Sequence, residues 1–198
     1  MLQDLRLAAP PATLAVSLDE MKSHLRIDAG ITEHDADITA MLNAVHGLLD
    51  GYGGVLGRCL VQQSWTLSFE CWPGLMVHLP LPPLISLTTF SYLDVNGVSQ
   101  TVDPNLYTVL DGPLAGLRLL SGKVWPILAP AHPRAVNITF VAGYGAAAAV
   151  PGNLKAAIKL LTADLFEHRE GQIIDVRVAV DANPAVARLL KPFRVPRL

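Results

Sequence analysis

ITAMLNAVHGLLDGYGGVLGRCLVQQSWTLSFE, residues 38–70, contains the change of periodicity that decides the fold. In its first half Ile38, Met41, Leu42, Val45, Leu48, Leu49 and Tyr52 recur at steps of three and four, one apolar stripe along a helix that starts near Glu33. Gly51, Gly53, Gly54 and Gly57 end it. In the second half the period falls to two. Val61, Trp65, Leu67 and Phe69 alternate with Gln62, Ser64, Thr66, Ser68 and Glu70, with Gln63 the exception on the apolar side. That alternation predicts a half-buried strand. A helical segment therefore gives way to a β region at about Cys59.

Upstream, Ser17 with Glu20 three residues later forms the reciprocal capping-box pattern. It opens a helix whose buried side is Leu18, Met21, Leu25 and Ile27, and Asp28-Ala29-Gly30 stops it. Pro10 and Pro11 forbid helix over residues 1–16, which read as an extended arm. They also interrupt the apolar run 7–16, so a secretory signal is disfavoured.

Downstream, Pro80, Pro82 and Pro83 break the chain before a strand near residues 85–93. Asn96-Gly97 offers the left-handed pair of a type I′ hairpin, with residues 98–102 returning. Segments 107–110, 116–120 and 135–142 complete the β region, and in the last Val136, Ile138, Phe140 and Ala142 share a face. After Gly143-Tyr144-Gly145 helix resumes at Pro151, with Leu154, Ala157, Ile158, Leu161, Leu165 and Phe166 as its stripe and Gly171 past its end. The expected fold class is α+β: a small helical bundle, two N-terminal helices plus a later one, with an inserted antiparallel β region and extended termini. The segments are an N-terminal arm (1–16), a helical pair (17–58), the β insertion (59–142), a helix completing the helical core (143–171) and a basic C-terminal arm (172–198).

Two features of that last arm stand out. Ile174, Val176, Val178 and Val180 alternate with Asp175, Arg177, Ala179 and Asp181, a strand pattern without an obvious local partner. It pairs either with this chain's own sheet or with that of a neighbouring subunit. Beyond it, residues 182–198 carry Arg188, Lys191, Arg194 and Arg197 and no acidic residue, whereas the whole 198-residue chain has a net charge of −2. Asn183-Pro184 fits the cap and first turn of a short helix to Lys191, closed by Pro192. A basic tail on a near-neutral body suits docking on an acidic partner surface, and also suits a solvated end.

Signatures of chemistry are missing. His24, His34, His46, His78, His132 and His168 have no metal-ligand spacing, and Cys59 and Cys71 complete none. Glu167-His168-Arg169-Glu170 point around a helix and do not converge. No nucleophile motif occurs, and the glycines at 51–57 lack the lysine of a phosphate loop and follow a helix. No window is long and apolar enough for a membrane span. Hydrophobic residues nevertheless make up 51% of the chain, enough for a core and for apolar contact surface.

Several segments, in order, resemble the head–tail connector (adaptor) family of tailed bacteriophages and related gene transfer agents. Residues 18–28, LDEMKSHLRID, are similar to the family's L-x-x-x-K-x-H-L-R-I-D opening. The acidic run Glu33-His34-Asp35-Ala36-Asp37 precedes the long helix as it does there. Tyr52-Gly53 with Gln62-Gln63-Ser64-Trp65, then LPLPPL at 79–84 and YLDVNG at 92–97, match the family's Tyr-Gly, LP-x-PP and Y-x-D-x-x-G patterns. Trp125-Pro126, Val141-Ala142-Gly143-Tyr144-Gly145, Val150-Pro151 and Glu167-His168-Arg169-Glu170 follow in family order. Leu81 departs from a position where a basic residue is common, and residues 1–16 and 171–198 align little.

The resemblance implies a mechanical role without cofactor or catalytic residue. It implies a homo-oligomeric ring, twelve-fold in the particle, between the portal and the stopper or tail-terminator proteins of a virion or phage-like particle assembled in the bacterial cytoplasm. DNA would pass through the ring without sequence-specific recognition, and no membrane is involved. The residues expected at the portal are Arg188, Lys191, Phe193, Arg194 and Arg197, and those of an inter-subunit strand are Ile174, Val176, Val178 and Val180. A stopper or tail-completion protein is the rival reading, ahead of a small enzyme or a DNA-packaging DNA binder.

Overall fold

A computed structural model describes residues 3–112, 115–168 and 183–195. The chain is α+β and divides into two compact units, one of residues 1–11 with 62–143 and the other of residues 12–61 with 144–198.

Among the described residues the first unit holds eight strands: β1 (Gln3–Ala9), β2 (Gln63–Phe69), β3 (Met76–His78), β4 (Leu84–Leu93), β5 (Ser99–Thr101), β6 (Tyr107–Leu110), β7 (Gly116–Leu119) and β8 (Val136–Ala142). One antiparallel sheet has the order β1-β2-β8-β4-β5, and a second has the order β3-β7-β6. The alternation read in the sequence fixes which face is buried. Trp65 pairs with Phe140, Leu67 with Ile138 and Phe69 with Val136, all buried. On the opposite face Thr66 meets Thr139 at 3.0 Å, and the Ser68 hydroxyl donates to Asn137 Oδ1 at 2.7 Å. Part of the arm expected over residues 1–16 is β1, the edge strand beside β2, in a register that sets Leu5 against Leu67 and Leu7 against Trp65.

The β4–β5 hairpin differs from a two-residue type I′ turn. Only Gly97 of the Asn96-Gly97 pair takes a positive φ, +76°. The Asp94 carboxylate accepts from the backbone N–H groups of Asn96 (2.9 Å) and Val98 (3.0 Å) and from Gln100 Nε2 (3.0 Å). An aspartate that captures the backbone two residues on holds a wider turn than the dipeptide alone suggests. Those hydrogen bonds, Gln100's first, hold the Asp94 carboxyl below its ordinary pKa. Elsewhere in this unit Trp72 stacks on Trp125 (centroids 4.7 Å apart), and their indole N–H groups donate to Pro126 O and Gly74 O. Phe90 meets Trp72, Tyr107 and Trp125 edge-on. Half-buried in this cluster, the Tyr107 phenol has its pKa raised by desolvation.

The second unit contains α1 (Leu18–Leu25), α2 (Asp35–Leu49), α3 (Gly152–Glu167) and α4 (Pro184–Leu190). The Ser17–Glu20 capping box is formed in both directions, at 3.1 and 3.0 Å. The Ser17 N–H leads the effects that lower the Glu20 pKa. Ile38, Leu42, Val45 and Leu49 of α2 pack with Met21, Leu154, Ala157, Ile158 and Leu161 in one core. The glycines after α2 make a tight reversal. Gly51 N–H donates to Arg58 O at 2.9 Å, and Leu60 N–H donates to Asp50 Oδ1 at 2.7 Å. A Cβ on Gly54 would lie 2.5 Å from the carbonyl oxygens of Leu49 and Asp50, so the position excludes any larger residue.

Among the described residues three polar side chains are buried in this unit with defined partners: Lys22, His46 and Thr162, whose hydroxyl donates to Ile158 O at 2.8 Å. Lys22, 3% exposed, donates from Nζ to Ala29 O (3.0 Å) and Ile31 O (2.6 Å) and lies 2.9 Å from Asp35 Oδ1. No hydrogen bond of good geometry reaches that oxygen, so the ion pair is its compensation. His46 Nε2 accepts from Ala15 N–H at 2.9 Å, and Nδ1 lies 2.8 Å from Leu42 O, which accepts from it. That arrangement requires the neutral imidazole with its proton on Nδ1.

Burial accordingly lowers the His46 pKa, outweighing the opposing pull of Leu42 O and Asp50. Below the ordinary value of 6.5 the unfolded chain binds a proton that the folded chain refuses. Stability from this site is thus complete above that pH and is lost as pH falls through it. The melting temperature is expected to fall from about pH 7.5 to about pH 5.5, and His46→Gln to flatten that slope. An unaltered slope in the variant, measured by circular dichroism, would contradict the assignment.

Candidate partner-binding surface

The C-terminal segment expected to dock on a partner is built on a fixed base. Asn183 caps α4, its Oδ1 accepting from Ala185 N–H (3.1 Å) and Val186 N–H (3.3 Å), with Pro184 in the first turn. Val186 and Leu190 are fully buried in the helical core. One i, i+4 pair thus fastens α4, and the other side of the helix faces outward. A 3-10 turn, Lys191–Phe193, follows, and Val195 N–H donates to Leu56 O at 2.9 Å.

Arg58 holds the end of this segment. Its Nε donates to Phe193 O, and its Nη1 donates to the Tyr144 hydroxyl at 2.6 Å. The guanidinium carbon lies 5.7 Å from the Phe193 ring centroid and 5.9 Å from that of Tyr144. A planar donor fork that also stacks on rings is a role lysine does not fill. Phe193 is half-buried against the core, so its ring serves the base of the segment.

Arg188, Lys191 and Arg194 converge with Ala187 on a cleft of about 280 Å³, and all three cations are exposed. Among the described residues no ion pair involves Arg188 or Lys191. Three positive charges on one rigid helix and turn favour an anionic surface. Arg197 and the strand-patterned Ile174, Val176, Val178 and Val180 lie outside the described residues. Arg58, Tyr144 and Val195 were not among the residues expected at the site. Only an arginine set among glycines, with an aromatic later in the chain, marks them, and nothing local in the sequence links positions 58, 144 and 193.

Among the described residues no group of three or more His, Cys, Asp or Glu side chains could hold a metal ion. No described helix is long and apolar enough to cross a membrane. Cys59 is buried and Cys71 exposed, both as thiols. His168 sits on an exposed helix end, Nδ1 3.3 Å from Asp164 Oδ1.

No protein-family model and no curated protein matches the chain. Solved structures do. A chain from the neck of an empty gene transfer agent particle, computed with C6 symmetry, matches with a TM-score of 0.79 at 24% identity, covering 98% of this chain and 97% of that one. At that identity the match shows the fold. A chain from the virion of a native gene transfer agent particle matches at 25% identity, TM-score 0.77, over 98% and 96% of the two chains. A third, from the neck of a native particle computed with C12 symmetry, matches at 25% identity, TM-score 0.71, over 98% and 97%. The chain is thus a structural homologue, end to end, of chains of gene transfer agent particles, one of them from the particle neck, in agreement with the resemblance carried by the sequence motifs.

Proposed function

We propose that this chain is a structural connector subunit at the head–tail neck of a phage or phage-like gene transfer particle. Copies form a ring between the portal and the stopper or tail, and the ring extends the channel through which DNA passes. The observation that carries the reading is the full-length match to chains of gene transfer agent particles, 98% of this chain against 96–97% of theirs. A twelve-fold ring is supported by the C12 symmetry with which one of those necks was computed. Ring contacts of this kind join two different faces of one subunit and close by rotation, so the work is done by surface complementarity and not by bond-making.

The surface that meets the portal is the α4 face bearing Arg188, Lys191 and Arg194, with Arg197 beyond it and Phe193 holding it in place. Because Val186 and Leu190 are buried, removing the segment would damage the core, and charge reversal is the cleaner test. Arg188→Glu, Lys191→Glu and Arg194→Glu together are expected to weaken capture by an immobilised portal roughly 100-fold or more at moderate salt. The melting temperature of the same variant, and of one carrying only Arg188→Glu and Lys191→Glu at the two exposed helix-end positions, separates lost capture from lost fold. Undiminished capture would contradict the assignment of this face. Capture by a tail tube in place of the portal would favour a stopper or tail-completion role.

A further inference from the structure

β1 is the edge of the five-stranded sheet. It pairs with β2 on one side, and among the described residues no strand pairs with its other side. Its two faces differ in character. Leu5 and Leu7 lie on the apolar face, opposite Leu67 and Trp65. Leu7 is 47% exposed because the apolar face stops there. Asp4 and Arg6 lie on the polar face, where Asp4 Oδ2 is 2.9 Å from Arg6 Nε and 2.9 Å from Arg134 Nε. An open edge with apolar side chains on one face and an ordered charge pair on the other is a template for one more strand.

Residues 173–181, IIDVRVAVD, carry the complementary pattern: Ile174, Val176 and Val178 on one parity, Asp175 and Arg177 on the other. Laid antiparallel to β1, one register sets Asp4 against Arg177 and Arg6 against Asp175, and the same register sets Leu5 against Val176 and Leu7 against Ile174. A slip of two residues one way opposes Asp4 with Asp175, and a slip of two the other way opposes Arg6 with Arg177. A slip of one places a charge against Leu5 on the apolar face. Parallel alignments keep at most one of the two charge pairs. Directly opposed residues share a face, and like charges there are unfavourable, so these alternatives are disfavoured.

We infer that the open edge of β1 receives residues 173–181 of a second copy of this chain, as an antiparallel strand in the register that pairs Asp4 with Arg177 and Arg6 with Asp175. The inference rests on the ring reading and specifies how neighbours are joined. Each subunit donates one strand and accepts another, a head-to-tail contact that repeats until the ring closes. The added strand continues the apolar face past Leu7 and extends the Arg134–Asp4–Arg6 charge row.

The test is disulfide trapping in assembled particles, with Cys71→Ser to remove the exposed native thiol. Two double variants are needed, Leu5→Cys with Val176→Cys and Arg6→Cys with Asp175→Cys. Adjacent opposed pairs alternate between wide and close spacing, and one of the two is of the close kind that a disulfide spans. Leu5→Cys with Asp175→Cys is the out-of-register control. The expected result is a ladder of covalent multimers on a non-reducing gel for an in-register pair, collapsing to monomer with reductant, and far less for the control. A disulfide closed within single chains, or no ladder in particles that contain the chain at their neck, overturns the pairing and leaves the ring reading standing. Particles that lack the chain overturn both.

Discussion

Lys22→Met is expected to destabilise the helical unit by about 3 kcal/mol or more, because it removes the cation from a buried pair and leaves its partner uncompensated. Lys22 reaches across the α1–α2 connection to two carbonyls and to Asp35 at the start of α2. Methionine keeps the apolar stem, so the loss reports on the charge. The carbonyls of the exposed residues Ala29 and Ile31 can turn to water, whereas Asp35 Oδ1 is buried and cannot. Adding Asp35→Asn to Lys22→Met should therefore recover much of the loss in chemical denaturation, a coupling that a double-mutant cycle reads directly. If the two losses simply add, Lys22 acts through packing alone. The lysine that the family resemblance places in the first helix thus has a structural reason, holding the angle between the first two helices.

Arg58→Ala should have the second-largest effect and the more informative one. Two hydrogen bonds from a charged donor and two ring contacts are lost, about 2–4 kcal/mol in all. Phe193 O and the Tyr144 hydroxyl lose their donor, and the 193–195 end of the C-terminal segment is freed from the Leu56–Arg58 turn. Trypsin should then cut at Arg188 and Arg194 far faster than in the parent chain. Portal capture should weaken although every exposed cation is intact, since a mobile arm must be ordered again on binding. Arg58→Lys should rescue little, because an ammonium makes neither the fork nor the stacking. Parent-like proteolysis in Arg58→Ala would contradict the anchoring role.

The elements that announce themselves locally were legible. The Ser17–Glu20 box, the α2 stripe from Ile38 to Leu49, the alternation in β2 and β8 and the Asn183-Pro184 helix start are each written in a window of ten or so residues. What was not legible depends on distant partners. Leu5 and Leu7 already alternate with Asp4 and Arg6, but Pro10 and Pro11 dominate that window, and only the neighbouring β2 makes it a strand. The order β1-β2-β8-β4-β5 joins residues 3–9, 63–69 and 136–142, and no short-range pattern encodes it. Asn96-Gly97 pointed to a tighter hairpin than Asp94 permits.

The site divides in the same way. The clustering of Arg188, Lys191 and Arg194 is a matter of composition and could be read in advance. That they stand on a packed helix, with Phe193 turned inward, follows from Val186 and Leu190 meeting α3, which is a tertiary fact. The grip of Arg58 spans 135 residues between donor and acceptor and leaves no local trace.

Subtomogram or single-particle imaging of purified particles, with a small tag added to this chain, addresses the central claim most directly. The account predicts tag density in a ring at the vertex where head meets tail, repeated around the channel. Tag density confined to the capsid lattice or the distal tail, or none in the particle, would contradict it.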